Sequence, residues 1–65
     1  MARATRTYRV EFMAPGGDWG WCEVSAASPS EAEAVVLLSR LVSETQPRAH
    51  ATHVFDRERE AFIRL

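Results

Sequence analysis

The chain has 65 residues, of which 46% are hydrophobic and 26% are charged, and its formal net charge at pH 7 is -1. These fractions are ordinary for a globular protein, so they argue against intrinsic disorder, and the length leaves room for one domain only. No apolar run approaches the roughly 18 residues that a membrane span needs. The balanced charge gives no overall attraction to nucleic acid or to an anionic membrane.

Cysteine and arginine usage bear on compartment and source. Cys22 is the only cysteine, so no disulfide can form within the chain, and a cytoplasmic location is expected. All eight basic residues are arginine and alanine is abundant, which is typical of a GC-rich bacterial or phage genome. A core this small is marginal on its own, so a partner subunit is one expected source of stability.

The first half of the chain predicts a β-hairpin. Residues 1–6 are polar and without period, and they are interpreted as a flexible leader to a single domain over residues 7–65. The segment Thr7–Met13 alternates apolar and polar residues with the two-residue period of a half-buried strand. The Pro and two Gly of Ala14–Asp18 favour a turn, after which Trp19–Ala26 returns as a second strand.

Alternation assigns the two faces of this hairpin. The face toward the core is predicted to carry Tyr8, Val10, Phe12, Cys22, Val24 and Ala26. The other face is predicted to carry Trp21 beside Arg9, Glu11, Met13 and Glu23, where a two-layer domain would leave it exposed.

A helix is predicted to begin at Ser28. Ser28 and Glu31 form a capping-box pattern, in which the Glu31 side chain reaches back to the amide of Ser28, and Pro29 suits the first helical position. The helix is expected to run through Val42 and to end near residues 43–45, before Pro47. Its apolar positions, including Leu37 and Leu41, cover more than half of its circumference, which is wider than packing on one sheet requires.

The last third of the chain predicts a third strand, followed by either a fourth strand or a last helical turn. Residues 46–50 are interpreted as a loop and Ala51–Asp56 as a third strand, with Thr52 and Val54 opposite His53 and Phe55. Residues 57–60 then form either a turn before a fourth strand, Ala61–Leu65, or a last helical turn capped by Asp56. The strand is favoured because the β-branched and aromatic residues on both sides of the turn can pair.

Together these elements predict an α+β fold. It is a small antiparallel sheet of three to four strands with one helix packed on one face, in the order ββαβ or ββαββ.

No catalytic, cofactor or metal site is predicted, and the chain is not expected to be an enzyme. Cys22 with His50 or His53 is the only thiol and imidazole set, and Cys22 falls on the covered side of its strand, where it behaves as a small hydrophobe. With Asp56, the same residues are the only metal candidates. The two histidines are three apart, which points them opposite ways on a strand, and no C-x-x-C pair accompanies them.

The surplus apolar surface predicts a small protein-interaction module that self-associates or binds a protein partner. The expected contact residues lie on the exposed sheet face and on the spare side of the helix: Met13, Trp19, Trp21, Leu37 and Leu41. A plainer interpretation is that Trp21 only covers the sheet by lying over Met13 and an arginine stem.

Nucleic-acid binding is the alternative. It would use Arg3, Arg6 and Arg9 as an N-terminal arm, with the sheet aromatics as stacking surfaces. Glu11 and Glu23 on the same face weigh against it. No motif in the chain is specific enough to name a family.

Overall fold

A computed structural model describes residues 4–65 of the chain. It is an α+β domain with the element order ββαββ: β1 (Arg6–Met13), β2 (Trp19–Ala26), α1 (Pro29–Leu37), β3 (Ala49–Asp56) and β4 (Ala61–Arg64). All neighbouring strands are antiparallel, and their order across the sheet is β2-β1-β3-β4. The predicted fold class is therefore confirmed, in its four-strand form. No helix of residues 4–65 is long and apolar enough to cross a membrane.

The core lies between the helix and the sheet. Alternation in β1 turns Tyr8, Val10 and Phe12 toward the helix, and all three are buried. Ala32 and Val36 meet them from α1, and Ala49 and Val54 do so from β3. The predicted core face of β1 is confirmed, and the register pairs Tyr8 with Val24 and Val10 with Cys22 on β2.

The helix begins where the sequence predicts. Ser28 accepts a hydrogen bond from the amide of Glu31 at 3.1 Å, and Pro29 is the first helical residue. The Glu31 carboxylate accepts from the amide of Ala27 rather than from that of Ser28, so the reciprocal half of the predicted capping box is shifted by one residue. The side chains of Ser28 and Glu31 therefore each accept a hydrogen bond from a backbone amide at the start of the helix.

The helix ends earlier than predicted, at Leu37 rather than near residues 43–45. The Ser39 hydroxyl donates to the carbonyl of Val36 at 2.6 Å, and the Ser39 amide donates to the same oxygen. That carbonyl would otherwise accept from the amide of Arg40, so the serine side chain displaces the next helical hydrogen bond. Val42 then reaches the core from the connection after the helix instead of from the helix itself.

The second half of the sheet is a hairpin. β3 begins at Ala49, two residues before the predicted start, and the residues of the predicted fourth strand pair with it over Ala61–Arg64. Asp56 accepts from the amides of Glu58 and Arg59, which closes the turn between the strands. The predicted turn and fourth strand are thus confirmed, and the alternative helical turn is wrong.

Candidate interaction surface

The sheet face that points away from α1 is the candidate site, and we call it the open face. Cross-strand partners in an antiparallel sheet project to the same side, so the register assigns its members. One row across the sheet joins Glu23, Arg9, His53 and Arg64 through direct pairs. The next row joins Trp21, Glu11 and His50. Trp19, Phe55 and Phe62 lie on the same side.

A β-bulge in β3 brings both histidines to the open face. Arg9 pairs with His53 and Val10 pairs with Ala51, so Thr52 is an extra residue without a direct partner on β1. Its hydroxyl lies 3.4 Å from the carbonyl oxygen of Arg9. The expectation that His50 and His53 point opposite ways is therefore wrong, because it assumed unbroken alternation and the bulge shifts the phase by one residue.

The two indoles are the most exposed aromatic groups of this face. Trp19 is 53% exposed and Trp21 is 56% exposed. The Arg9 guanidinium lies over the Trp21 ring, 4.1 Å from its centroid, as in a cation–π contact. The His50 ring lies 6.1 Å from the ring of Trp19, tilted by 33°. Both indoles are thus held on one side by a polar neighbour and remain open to a partner.

A second aromatic group lies at the other side of the open face. Phe55 and Phe62 are direct cross-strand partners, and their rings meet edge to face with centroids 5.3 Å apart. Such pairs add to the stability of a sheet beyond the area that they bury. Both rings are half-buried, so the pair supports the hairpin and still presents apolar surface.

Met13 is not part of the exposed surface, although its position in β1 predicted that it would be. It is 8% exposed. Its amide donates to the carbonyl of Arg48 and its carbonyl accepts from the amide of Ser43. The connection between the helix and β3 therefore runs along the end of β1, beside Met13.

The predicted spare side of the helix is exposed as well. Leu37 lies at the end of α1 and Leu41 in the turn that follows, so only the first of the two belongs to the helix. Val35 and Leu38 extend this apolar surface, and Leu38 is 88% exposed. It contains no aromatic side chain, in contrast to the open face.

The structure separates the arginines of the predicted N-terminal arm. Arg3 lies outside the described residues. Arg6 pairs with Ala26 and lies on the same side of the sheet as the helix-facing residues Tyr8 and Val10. Its own side chain is exposed. Arg9 lies on the open face, so the two described arginines of the arm fall on opposite sides of the sheet.

Cys22 and the histidines are also on opposite sides. Cys22 pairs with Val10 on the helix side, and partial burial raises the pKa of its thiol. His50 and His53 face the other way, so the sheet itself separates the thiol from both imidazoles. Within residues 4–65, no three histidine, cysteine or acidic side chains are grouped in a way that could hold a metal ion.

Sequence reasoning missed the contribution of β3 and β4 to the open face, namely His50, His53, Phe55, Phe62 and Arg64. A signal was present in the apolar spacing. Ala49 and Ala51 are two apart, whereas Ala51 and Val54 are three apart, and a single step of three within a two-residue period indicates a bulge.

Comparison of the chain with protein families, with curated proteins and with solved structures gave no match.

Proposed function

We propose that the chain is a small, non-catalytic protein-interaction module that binds a protein partner through the open face. One observation carries the proposal: two indoles, each more than half exposed, lie on the sheet face opposite the helix. Tryptophan is enriched at the energetic centres of protein interfaces, and a large exposed apolar patch marks an interaction site.

The open face supports the proposal better than the spare side of the helix does. An indole buries more area than a leucine does for the same two side-chain torsions. Arg9 already restricts Trp21 on the open face, so less conformational freedom is lost on binding. Leu38, by comparison, has no side-chain partner of this kind among the described contacts.

The absence of a catalytic role is part of the same proposal. The thiol of Cys22 is directed to the helix side and has a raised pKa, both of which disfavour a nucleophile. A reduced thiol of this kind also supports a cytoplasmic location.

The test compares two exposed apolar residues on the two candidate surfaces. Trp21→Ser is expected to weaken partner binding or self-association at least about tenfold, which corresponds to about 1.4 kcal/mol, whereas Leu38→Ser leaves both unchanged. Sedimentation equilibrium measures self-association, and quantitative capture from source cells measures other partners. Circular dichroism confirms that both variants fold. Loss with Leu38→Ser but not with Trp21→Ser would move the interaction to the helix side and contradict the proposal.

Single-stranded nucleic acid is the second candidate partner, and the stacked Arg9 and Trp21 favour it because this pair resembles a base-stacking platform. Glu11 and Glu23 balance Arg9 and Arg64 on the open face, which removes the positive field that nucleic-acid binding needs. Titration with single-stranded oligonucleotides at low salt tests this candidate, and a flat titration rejects it.

A further inference from the structure

We propose that the partner of the open face is a second copy of this chain, packed sheet to sheet with the two-fold axis parallel to the strands. This inference rests on the proposed function, since it names the occupant of the same surface. It is argued from the charge pattern of the open face.

The charges of the open face are divided between its two halves. Glu23 lies on β2 and Glu11 on β1, whereas His50, His53 and Arg64 lie on β3 and β4. Glu11, Glu23 and Arg64 have no ion-pair partner among residues 4–65. Arg9, whose guanidinium lies over the indole of Trp21, is on the same half as the two glutamates. The half formed by β2 and β1 thus has two carboxylates to one guanidinium, and the half formed by β3 and β4 has Arg64 and two imidazoles.

A two-fold rotation about an axis parallel to the strands matches these halves. The rotation reverses the strand order β2-β1-β3-β4, so β2 of one copy lies over β4 of the other and β1 lies over β3. It leaves each residue in its own row across the sheet. Glu23 of one copy then faces Arg64 of the other, Glu11 faces His50 and Arg9 faces His53, with each contact formed twice. The row of Trp21 has no member on β4, so Trp21 faces the end of that strand.

Other arrangements do not use this pattern. An axis perpendicular to the strands lays β2 over β2 and β1 over β1, so Glu23 of one copy does not meet Arg64 of the other. Pairing of two β2 edges in one continuous sheet leaves Arg64 on the far edge, away from Glu23. Of these arrangements, only the axis along the strands places Glu23 of one copy over Arg64 of the other. Aligned sheets of this kind pack about 10 Å apart with their facing side chains in contact.

Reciprocal charge reversal tests the arrangement. Glu23→Arg and Arg64→Glu are each expected to weaken the dimer at least about tenfold, because each places two like-charged pairs in the interface. An equimolar mixture of the two variants is expected to recover association as a heterodimer, since both of its contacts then join opposite charges. Sedimentation equilibrium measures the association constants, and native mass spectrometry distinguishes the heterodimer by mass.

The matched control reverses charges away from the open face. Glu44 and Arg40 are exposed and lie in the connection after the helix. Glu44→Arg, Arg40→Glu and their mixture are expected to associate as the original chain does. Thermal melts followed by circular dichroism confirm that all four variants fold, because each replaced side chain is exposed.

The outcomes separate this inference from the proposed function. Unchanged association of Glu23→Arg and Arg64→Glu, or failure of their mixture to recover, overturns the arrangement, and the proposed function stands if Trp21→Ser still weakens binding. A chain that stays monomeric at millimolar concentration, but whose capture of another protein depends on Trp21, overturns the second copy alone. If Trp21→Ser changes no interaction, both this inference and the proposed function are wrong.

Discussion

At the scale of single residues, Cys22 illustrates how strand parity decides chemistry. It pairs with Val10, which is fully buried, and its thiol lies beside the core rather than on the open face. Desolvation disfavours the charged thiolate and so raises the pKa of the thiol above its ordinary value of 9.0. Only the thiolate reacts, so a raised pKa lowers the reactive fraction at any pH below it.

Alkylation of Cys22 by iodoacetamide at pH 8 is therefore expected to be slower in the folded protein than in the same chain unfolded in urea. The rate is followed by mass spectrometry, and the difference should narrow once the pH exceeds the raised pKa. Equal rates in the two states at pH 8 would contradict the placement of the thiol on the helix side.

Thr52 shows where the alternation of apolar and polar residues fails to predict the face on which a residue lies. Alternation correctly assigned Tyr8, Val10 and Phe12 to the core, because β1 has no irregularity on the side that pairs with β2. The same rule failed across β3, since the one-residue insertion at Thr52 exchanges the faces on either side of it. Nothing in a threonine by itself marks a bulge, and only the three-residue step from Ala51 to Val54 indicates one, so strict alternation does not predict that His50 and His53 share a face.

At the scale of elements, the helix divides its apolar residues between the core and the solvent. Val36 is 2% exposed and belongs to the core cluster, whereas its neighbour Val35 is 48% exposed. Both are valines with the same helix propensity. The difference between their alanine variants therefore measures how much burial contributes to stability.

Val36→Ala is expected to lower the free energy of unfolding by about 2 kcal/mol, because it leaves a cavity in a core with few other residues. Val35→Ala is expected to change it by less than about 0.5 kcal/mol. Urea denaturation measures both. Similar losses for the two variants would mean that Val35 is also covered, as in an assembly that uses the helix side.

The start of the helix was predictable and its end was not, for different reasons. The start depends on local hydrogen bonds from Ser28 and on Pro29, which are visible in four consecutive residues. The end depends on Ser39, whose hydroxyl takes the Val36 carbonyl, and on the need of Val42 to reach the core. The packing of Val42 is a tertiary contact, and the hydrophobic period of the sequence does not predict it.

At the scale of the whole molecule, the domain is a flat, two-layer structure whose principal extents are 37, 27 and 14 Å. Its radius of gyration of 12.2 Å exceeds the value of about 11 Å for a compact domain of this length. A single nine-residue helix cannot cover both faces of a four-stranded sheet, so one face remains open. This geometry, rather than any single residue, leaves the indoles exposed.

Both tryptophans of the chain lie on the open face, so tryptophan fluorescence, excited at a wavelength that tyrosine does not absorb, reports on that face. The most direct measurement is acrylamide quenching of this fluorescence over a dilution series that spans micromolar dissociation constants. We expect the quenching constant to fall, and the emission to shift to the blue, as the concentration rises and a second copy covers the indoles. A quenching constant that stays high and unchanged over the whole series would contradict association through the open face.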